Sequence, residues 1–406
     1  MKRLVYLPLI GLIFSLVSCQ GAMTEEEIIA KAAKIHEKVF TIDTHCDTPM
    51  KLGNYDMGVK HDSRQGGGKI DYPRMKEGGL DAEFFAVFIG QGERSDEAHA
   101  RVKERALKVF ANIHKSIEDN PDLVELALTP DDAHRIERAG KRAAFISMEN
   151  GYPIGTDIKN IEEFYKLGAR CITLSHSGNN DICDSSSGEA EHNGLSKFGK
   201  LVIKEFNRLG IIIDVSHISD KSFYDVIELS EAPVIASHSN AYALCNSSRN
   251  IKDDMLKKLA ENGGVIQMCP LSSFVKDFPP NLERDEARKA LGEKYGNWRE
   301  LSDEDRQAYR TESREIDKKF PRPSATLSDF VDHIDHVKEV AGINHIGIGS
   351  DFDGGGGIEG MYDVSEMGNI TVELVRRGYT KEEIRKIWGE NTMRVMREVQ
   401  TLAEKK

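Results

Sequence analysis

Eight short apolar, β-prone runs recur along this 406-residue chain, and segments of helical periodicity separate several of them. The runs are Val39–Asp43, Ala82–Ile89, Ala143–Met148, Cys171–Leu174, Ile211–Val215, Val234–Ala236, Gly264–Met268 and His345–Gly349. Their near-continuous apolarity marks strands covered on both faces, as in parallel sheets. Ile161–Leu167, Gly199–Leu209 and Asp253–Asn262 are amphipathic, and Gly210 and Gly263 stand where the last two of these helices would end. Strand, helix and glycine in repetition predict βα units closing into an α/β (β/α)8 TIM-like barrel. A doubly wound open sheet is the alternative, weakened because no GxGxxG follows the first run.

The N-terminus stands apart from this rhythm. Lys2 and Arg3 precede an apolar run from Leu4 to Val17 that ends in Leu16-Val-Ser-Cys19. The run is short for a membrane span and has the form of a signal segment. Its last four residues resemble the lipobox of bacterial lipoproteins. That resemblance implies cleavage after residue 18, lipid on Cys19 and attachment to a membrane of the bacterial cell envelope without spanning it. Residues 19–38, polar, helix-prone and rich in Glu, Ala and Lys, are expected to link the anchor to a catalytic unit over 39–406. A net charge of −12 with no basic stripe disfavours nucleic acid as a partner. Five cysteines remain after Cys19, with no CxxC, which argues against a full disulfide framework and a thiolate zinc site.

Polar clusters sit where the apolar runs stop, and they are rich in metal-donor types. His45 and Asp47 are two apart and would point the same way from an extended strand. Glu149 closes a buried run, a costly place for a carboxylate unless it is paired or metal-bound, and its two oxygens suit a bridge. His217 and His238 close successive runs, and two imidazoles on adjacent strand ends suit zinc. His176 and Asp351 follow two more runs. Each alone reads equally well as a core or capping residue; donors gathered at one barrel mouth read as a metal site.

The stretches Asp43–Pro49, Ala144–Gly151, Ile172–Ser177, Asn207–Ser219, Ala236–Asn250 and Gly347–Gly354 resemble the membrane dipeptidase (renal dipeptidase) family of zinc peptidases. The likeness runs from about Phe40 to Trp388-Gly-Glu-Asn391. It implies two zinc ions, one held by His45 and Asp47, the other by His217 and His238, with Glu149 bridging. It further implies that His176 contacts the substrate and steadies the tetrahedral intermediate, that Arg249 grips the substrate carboxylate, and that Asp351 handles the proton. A hydroxide bridging the two zinc ions would cleave dipeptides, and the protein would be a homodimer. Asp43 and Asp353 would support the ligands rather than bind metal.

Departures from the family concern the periphery. Between residues 276 and 320, 23 of 45 residues are charged, which leaves little apolar surface to close over a site. A solvated helical excursion is therefore expected rather than a lid. Gly354–Gly357 lacks the Lys-Ser/Thr of a phosphate cradle and is expected to be a flexible loop. Competing functions are another metal-dependent amidohydrolase, disfavoured by Glu149 where many carry a modified lysine, and a lipid-anchored binding protein, disfavoured by the presence of both His176 and Asp351.

Overall fold

A computed structural model describes residues 23–296 and 301–405. The signal segment and Cys19 lie outside the described residues. Nine strands follow in chain order: β1 (Ile42–Cys46), β2 (Ala82–Phe88), β3 (Val124–Leu126), β4 (Arg142–Glu149), β5 (Ala169–Thr173), β6 (Ile212–Asp214), β7 (Ile235–Ser239), β8 (Val265–Met268) and β9 (Ile346–Ile348). All paired strands are parallel, in the order β1-β2-β4-β5-β6-β7-β8-β9, with β3 joined to the first residues of β4. Each expected run overlaps one barrel strand.

No ladder joins β1 to β9; individual bonds close the barrel there. Asp351 N–H donates to His45 O at 3.0 Å, Asp47 N–H donates to Phe352 O at 2.8 Å, and Cys46 and Phe352 form a parallel bridge. The result is a (β/α)8 TIM-like barrel whose C-terminal strand ends face one mouth. Ile42, Phe84, Phe145, Ile212, Ile235 and Val265, from six strands, converge with Met393 and Met396 of the last helix in one core cluster. A larger cluster packs the strands against the surrounding helices.

Local rules account for the helices. Ser196, Ser219 and Thr326 cap helix N-termini with their hydroxyls. Gly210 ends the helix Lys197–Leu209 at φ 75°, and Gly263 follows the helix Asp253–Glu261 at φ 82°. Within the segment expected to be a linker, Glu25–His36 is a helix with a Thr24/Glu27 capping box, and it buries Ile28, Ala32 and Ile35. His36 bonds Thr371 at 2.8 Å and Gly78 O at 2.9 Å, so this helix is part of the barrel body. Among the described residues, no helix is long and apolar enough to cross a membrane.

Among the described residues of 276–320 are the helices Leu282–Tyr295 and Asp303–Lys319. Arg284 and Arg288 both pair with Asp317, and Lys294 pairs with Glu312, so charge holds these helices together. All five cysteines among the described residues are buried free thiols.

Candidate metal centre

Each donor reaches the mouth because its strand stops there. His45 lies in β1, Glu149 ends β4 and His238 lies in β7. His176, His217 and Asp351 come just after β5, β6 and β9. His217 and Asp351 have φ of 69° and 54°, and Asn150, after Glu149, has φ of 79°. Left-handed backbone at a non-glycine residue costs about 1–3 kcal/mol, and here it recurs where strand ends turn toward the mouth. Asp47 reaches the site by a different route from the one expected. β1 is irregular between Asp43 and Cys46 and ends at Cys46, and Asp47 precedes a 3-10 helix over Thr48–Asn54. The turn after the strand, rather than strand alternation, brings Asp47 beside His45.

Glu149 is the centre of the arrangement. Its Oε1 lies 3.0 Å from His217 Nε2, 3.4 Å from His238 Nε2 and 3.7 Å from His176 Nε2. Its Oε2 lies 3.6 Å from His45 Nε2, which is 3.9 Å from Asp351 Oδ1. Three groups bring donor atoms within 4.8 Å of one another: His45, Glu149 and His238; Glu149, His176 and His217; His45, Asp47 and Asp351. The shared Glu149 and the two clusters on either side of it agree with two adjoining cation positions. By ring centres His238 lies nearer His45, at 3.9 Å, than His217, at 4.8 Å, but its Nε2 stands 2.8 Å from His217 Nε2, within reach of the pairing the family resemblance implies.

The residues fit a cation. His45 Nε2, Asp47 Oδ1 and Glu149 Oε2 are buried without a hydrogen-bond partner, and such atoms are costly unless something positive meets them. Burial opposes charge on His45, but Glu149, Asp47 and Asp351 around it raise the imidazole to about 10. Burial also raises Asp351, against the pull of His45, to about 7. For Asp47, burial and then Glu149 push the carboxyl well above its usual range. Glu149 is the exception: burial works against its charge, yet His45 and His217 hold it well below the usual range. Three carboxyls this close cannot all ionise without compensating positive charge, which divalent cations supply.

His217 and His238 are prepared as neutral ligands. Burial drives His217 and His238 well below 6.5, with neighbouring cationic groups acting in the same direction. A hydrogen-bond chain selects the tautomer of His238. Ser237 Oγ donates to Asp214 Oδ2 at 2.6 Å, so it accepts from His238 Nδ1–H at 2.8 Å. The lone pair is thereby left on Nε2, facing Glu149 and the Nε2 of His217 at 2.8 Å.

Arg249 completes the mouth. Its Nη2 donates to His238 O at 3.2 Å and its guanidinium lies 5.2 Å from the centre of the Phe274 ring. Its Nε is buried without a partner, and it joins no ion pair among the described residues. A partly buried guanidinium without a carboxylate is built to receive one. His176 packs on Phe88 at 4.8 Å and on His217 at 4.2 Å between ring centres. Burial lowers its pKa, despite the pull of Glu149.

Asp47, Glu149, His176, His217, His238, Arg249 and Asp351 line one cavity of about 240 Å³, and His45 stands behind Glu149. Volume does not select the site. A larger cavity of about 740 Å³, bounded by Phe40, Arg385 and Arg394, holds none of these donor groups. Sequence reasoning missed Leu271 and Phe274, the apolar wall of the site cavity, which lie just before the charged segment. It also misread Gly354. Far from being a flexible loop, Gly354, Gly355 and Gly356 all donate N–H to Asp351 O, at 3.1, 3.0 and 2.7 Å. A Cβ on Gly354 would stand 2.2 Å from both Asp351 Oδ1 and Asp47 Oδ2, so glycine lets these carboxyls approach.

Comparison with known proteins agrees with this geometry. The model of the membrane dipeptidase family (peptidase family M19) matches residues 29–406. Dipeptidase tcpJ of Claviceps purpurea is 33% identical over 342 residues, covering 83% of this chain and 70% of the relative. Dipeptidase ataJ of Aspergillus terreus is 30% identical over 409 residues, covering 94% and 90%. The crystal structure of the probable dipeptidase PvdM from Pseudomonas aeruginosa superposes with a TM-score of 0.80 at 30% identity, covering 93% of this chain and all of that one. A metallo peptidase from Rhodobacter sphaeroides, at 24% identity and TM-score 0.70, shares the fold. The match takes in every strand and every donor described above, and the chain belongs to the membrane dipeptidase family, peptidase family M19.

Proposed function

We propose that this protein hydrolyses dipeptides with two zinc ions, one held by His45, Asp47 and Glu149 and the other by Glu149, His217 and His238. One observation carries the reading: donors centred on Glu149 share a small cavity with the unpaired guanidinium of Arg249. Bound there, the cations would polarise the scissile carbonyl and acidify a water shared between them, supplying a nucleophile at neutral pH.

The chain's own residues do the rest. Arg249 binds the free C-terminal carboxylate in a bidentate contact, which sets the distance from that carboxylate to the scissile bond and selects short peptides. His176, kept neutral by burial, donates its N–H to the oxygen that gains charge during attack. Asp351 takes the proton from the attacking water and passes it to the leaving amine. Leu271 and Phe274 exclude water from one side of the cavity.

The same reading places the enzyme at a membrane of the bacterial envelope, held through lipid on Cys19, and makes it a homodimer. The Leu16–Cys19 motif supports the first and the family resemblance the second. Membrane release of a Cys19→Ser variant and the solution mass of the purified protein test them.

The decisive experiment is elemental analysis of the purified protein, paired with hydrolysis of dipeptides and tripeptides before and after chelation. Near two zinc per chain, with chelator-sensitive cleavage of dipeptides alone, is the expected result. Metal without dipeptide cleavage would point to a different amide substrate. No metal after zinc loading would refute the reading.

A further inference from the structure

The larger cavity, of about 740 Å³, lies at the end of the barrel away from the metal donors. Phe40 precedes β1 and His345 precedes β9, whereas the donors stand at or beyond the C-terminal ends of their strands. Lys38, Arg385, Lys386, Arg394 and Arg397 line this cavity against one carboxylate, Glu390, in a chain whose net charge is −12. Most of these cations come from one continuous helical stretch. Lys386–Glu390 forms a π-helix between the helices Lys381–Arg385 and Asn391–Glu404. Such wide turns are uncommon and cluster at functional sites. This one holds most of the Trp388-Gly-Glu-Asn391 segment that ends the family likeness, to which the metal site gives no role. Gly389 seats it against the chain before β1: a Cβ there would stand 2.6 Å from Phe40 O. Phe40 in turn packs on His134 with ring centres 4.5 Å apart, which gives the cavity an aromatic wall.

The cations are incompletely neutralised. Arg385 pairs with Glu382 and Glu390, Arg394 with Glu398 at 3.3 Å, and Arg397 with Asp131 at 3.6 Å. Of these acids only Glu390 lines the cavity. Lys38 and Lys386 join no ion pair among the described residues, and Lys386 donates to the Asn344 amide oxygen at 2.8 Å. Like charges gathered around one cavity repel one another, and a bound anion removes that cost. Guanidinium forks and ammonium groups together match the oxygens of phosphate. The excess of positive charge favours a multiply charged anion over a phosphodiester headgroup, which carries a single charge. A volume of about 740 Å³ is that of a small organic ligand, whose carbon skeleton the Phe40–His134 wall would cover. We propose that this cavity binds a small phosphorylated solute with two or more negative charges, at a site separate from the metal centre. Such a site stands whether or not the metal centre cleaves dipeptides.

Isothermal titration calorimetry of the metal-loaded protein with fructose bisphosphate is the test. Saturable binding of one molecule per chain is the expected result. Lys38→Gln combined with Lys386→Gln removes two cations that hold no ion pair, so the fold and dipeptide turnover should be unchanged. Affinity for the bisphosphate should fall about 10-fold or more in this variant, since each lysine supplies a charge-assisted contact. Undiminished binding in the double variant would put the bisphosphate elsewhere, at the metal ions for instance, and overturn the proposal, as would no binding to the parent protein. Soluble dihexanoylphosphatidylglycerol, a phosphodiester, should bind at least about 10-fold more weakly than the bisphosphate. Equal or tighter binding would assign the cavity to a lipid headgroup and overturn the free solute. Should the double variant fail to fold, Arg397→Gln repeats the test with the same outcomes, because the one ion pair of Arg397 among the described residues is with the exposed Asp131. A parent protein that binds the bisphosphate but cleaves no dipeptide would refute the functional reading and leave this site in place.

Discussion

The opening between β6 and β7 and the one between β1 and β9 serve the same purpose with different fastenings. At β6–β7 the ladder has a single register pair, Asp214 with Ile235. Beyond it no further register pair forms, and the Asp214 carboxylate ties the two strand ends together. Its Oδ1 accepts N–H groups of Ser216 and Ser237, each at 2.9 Å, and its Oδ2 accepts the hydroxyls of Ser237 and Thr173. Asp43 spans the β1–β9 gap in the same manner with Oδ1, but its Oδ2 faces Glu83. Ladder bonds would hold the strands parallel and keep the histidines apart. Replacing the last rungs with a carboxylate lets His217 and His238 converge at one gap, and His45 and Asp351 at the other. Asp214 accepts from four donors, two of them hydroxyls, and through Ser237 it also sets the His238 tautomer. Asp43 has main-chain donors and an acid partner.

The largest expected effect tests whether the β6–β7 ligands are indispensable. His217→Ala removes the donor 3.0 Å from Glu149 Oε1. We expect kcat to fall by roughly 10³-fold or more and one zinc to be lost, with a native circular dichroism spectrum. Full activity would dismiss this gap as a metal site. Next is Arg249→Ala, since Arg249 is tied to His238 O. Loss of a buried charge-assisted contact should lower kcat/KM for free dipeptides about 10²-fold, from a cost of about 2–4 kcal/mol. C-terminally amidated dipeptides should change far less; equal losses would show that Arg249 acts on the fold rather than on the carboxylate.

Much of this was legible in the sequence because donors at strand ends are short-range features. His45, Glu149, His217 and His238 each directly end or follow an apolar run, and their chemistry could be read before any contact was known. What holds them was less legible. Asp214 and Asp43 look like ordinary strand-end acids until the gaps they span are seen. Glu83 sits inside the run Ala82–Ile89, where only three-dimensional register reveals the acid opposite. β3 escaped notice because Val124-Glu-Leu126 is three residues long and pairs only with the start of β4. The docking of the helix Glu25–His36 on the barrel was hidden by its many Glu and Lys residues, although Ile28, Ala32 and Ile35 share one face. Run boundaries also shifted: the first was expected over Val39–Asp43 and lies at Ile42–Cys46, because the chain extends to His45 before turning at Asp47.

A matched pair of substitutions sharpens the contrast between the gaps. Asp214→Asn exchanges an acceptor of four donors for an amide whose N–H₂ faces hydroxyl donors. Ser237 would lose its acceptor, His238 would lose its selected tautomer, and metal affinity should fall about 10- to 100-fold. Asp43→Asn should cost less. Its carbonyl can still accept from His45 and Ser350 while its N–H₂ donates to Glu83. Metal titration of both variants under the same chelator decides. A loss at Asp43→Asn equal to or greater than that at Asp214→Asn would mean that the ionic character of Asp43, and not only its geometry, holds the β1–β9 ends.

The smallest effect comes from a hydroxyl that touches both gaps. Thr44 Oγ1 lies 2.9 Å from Ser237 O, beside the first gap, and 3.2 Å from Ile348 O, beside the second. It is buried, and it is the shape of a valine with one methyl replaced by the donor. Thr44→Val therefore keeps the packing and leaves two buried carbonyls short of a donor, at a cost of about 1–3 kcal/mol in stability. Because those carbonyls belong to backbone already fixed by Asp214 and Asp43, the donors at the mouth should not move. A lower melting temperature with unchanged kcat and metal content is the expected result. If kcat fell while stability held, the gaps would not be independent clamps: Thr44 would couple them, and the strand ends carrying His238 and Asp351 would respond as one unit.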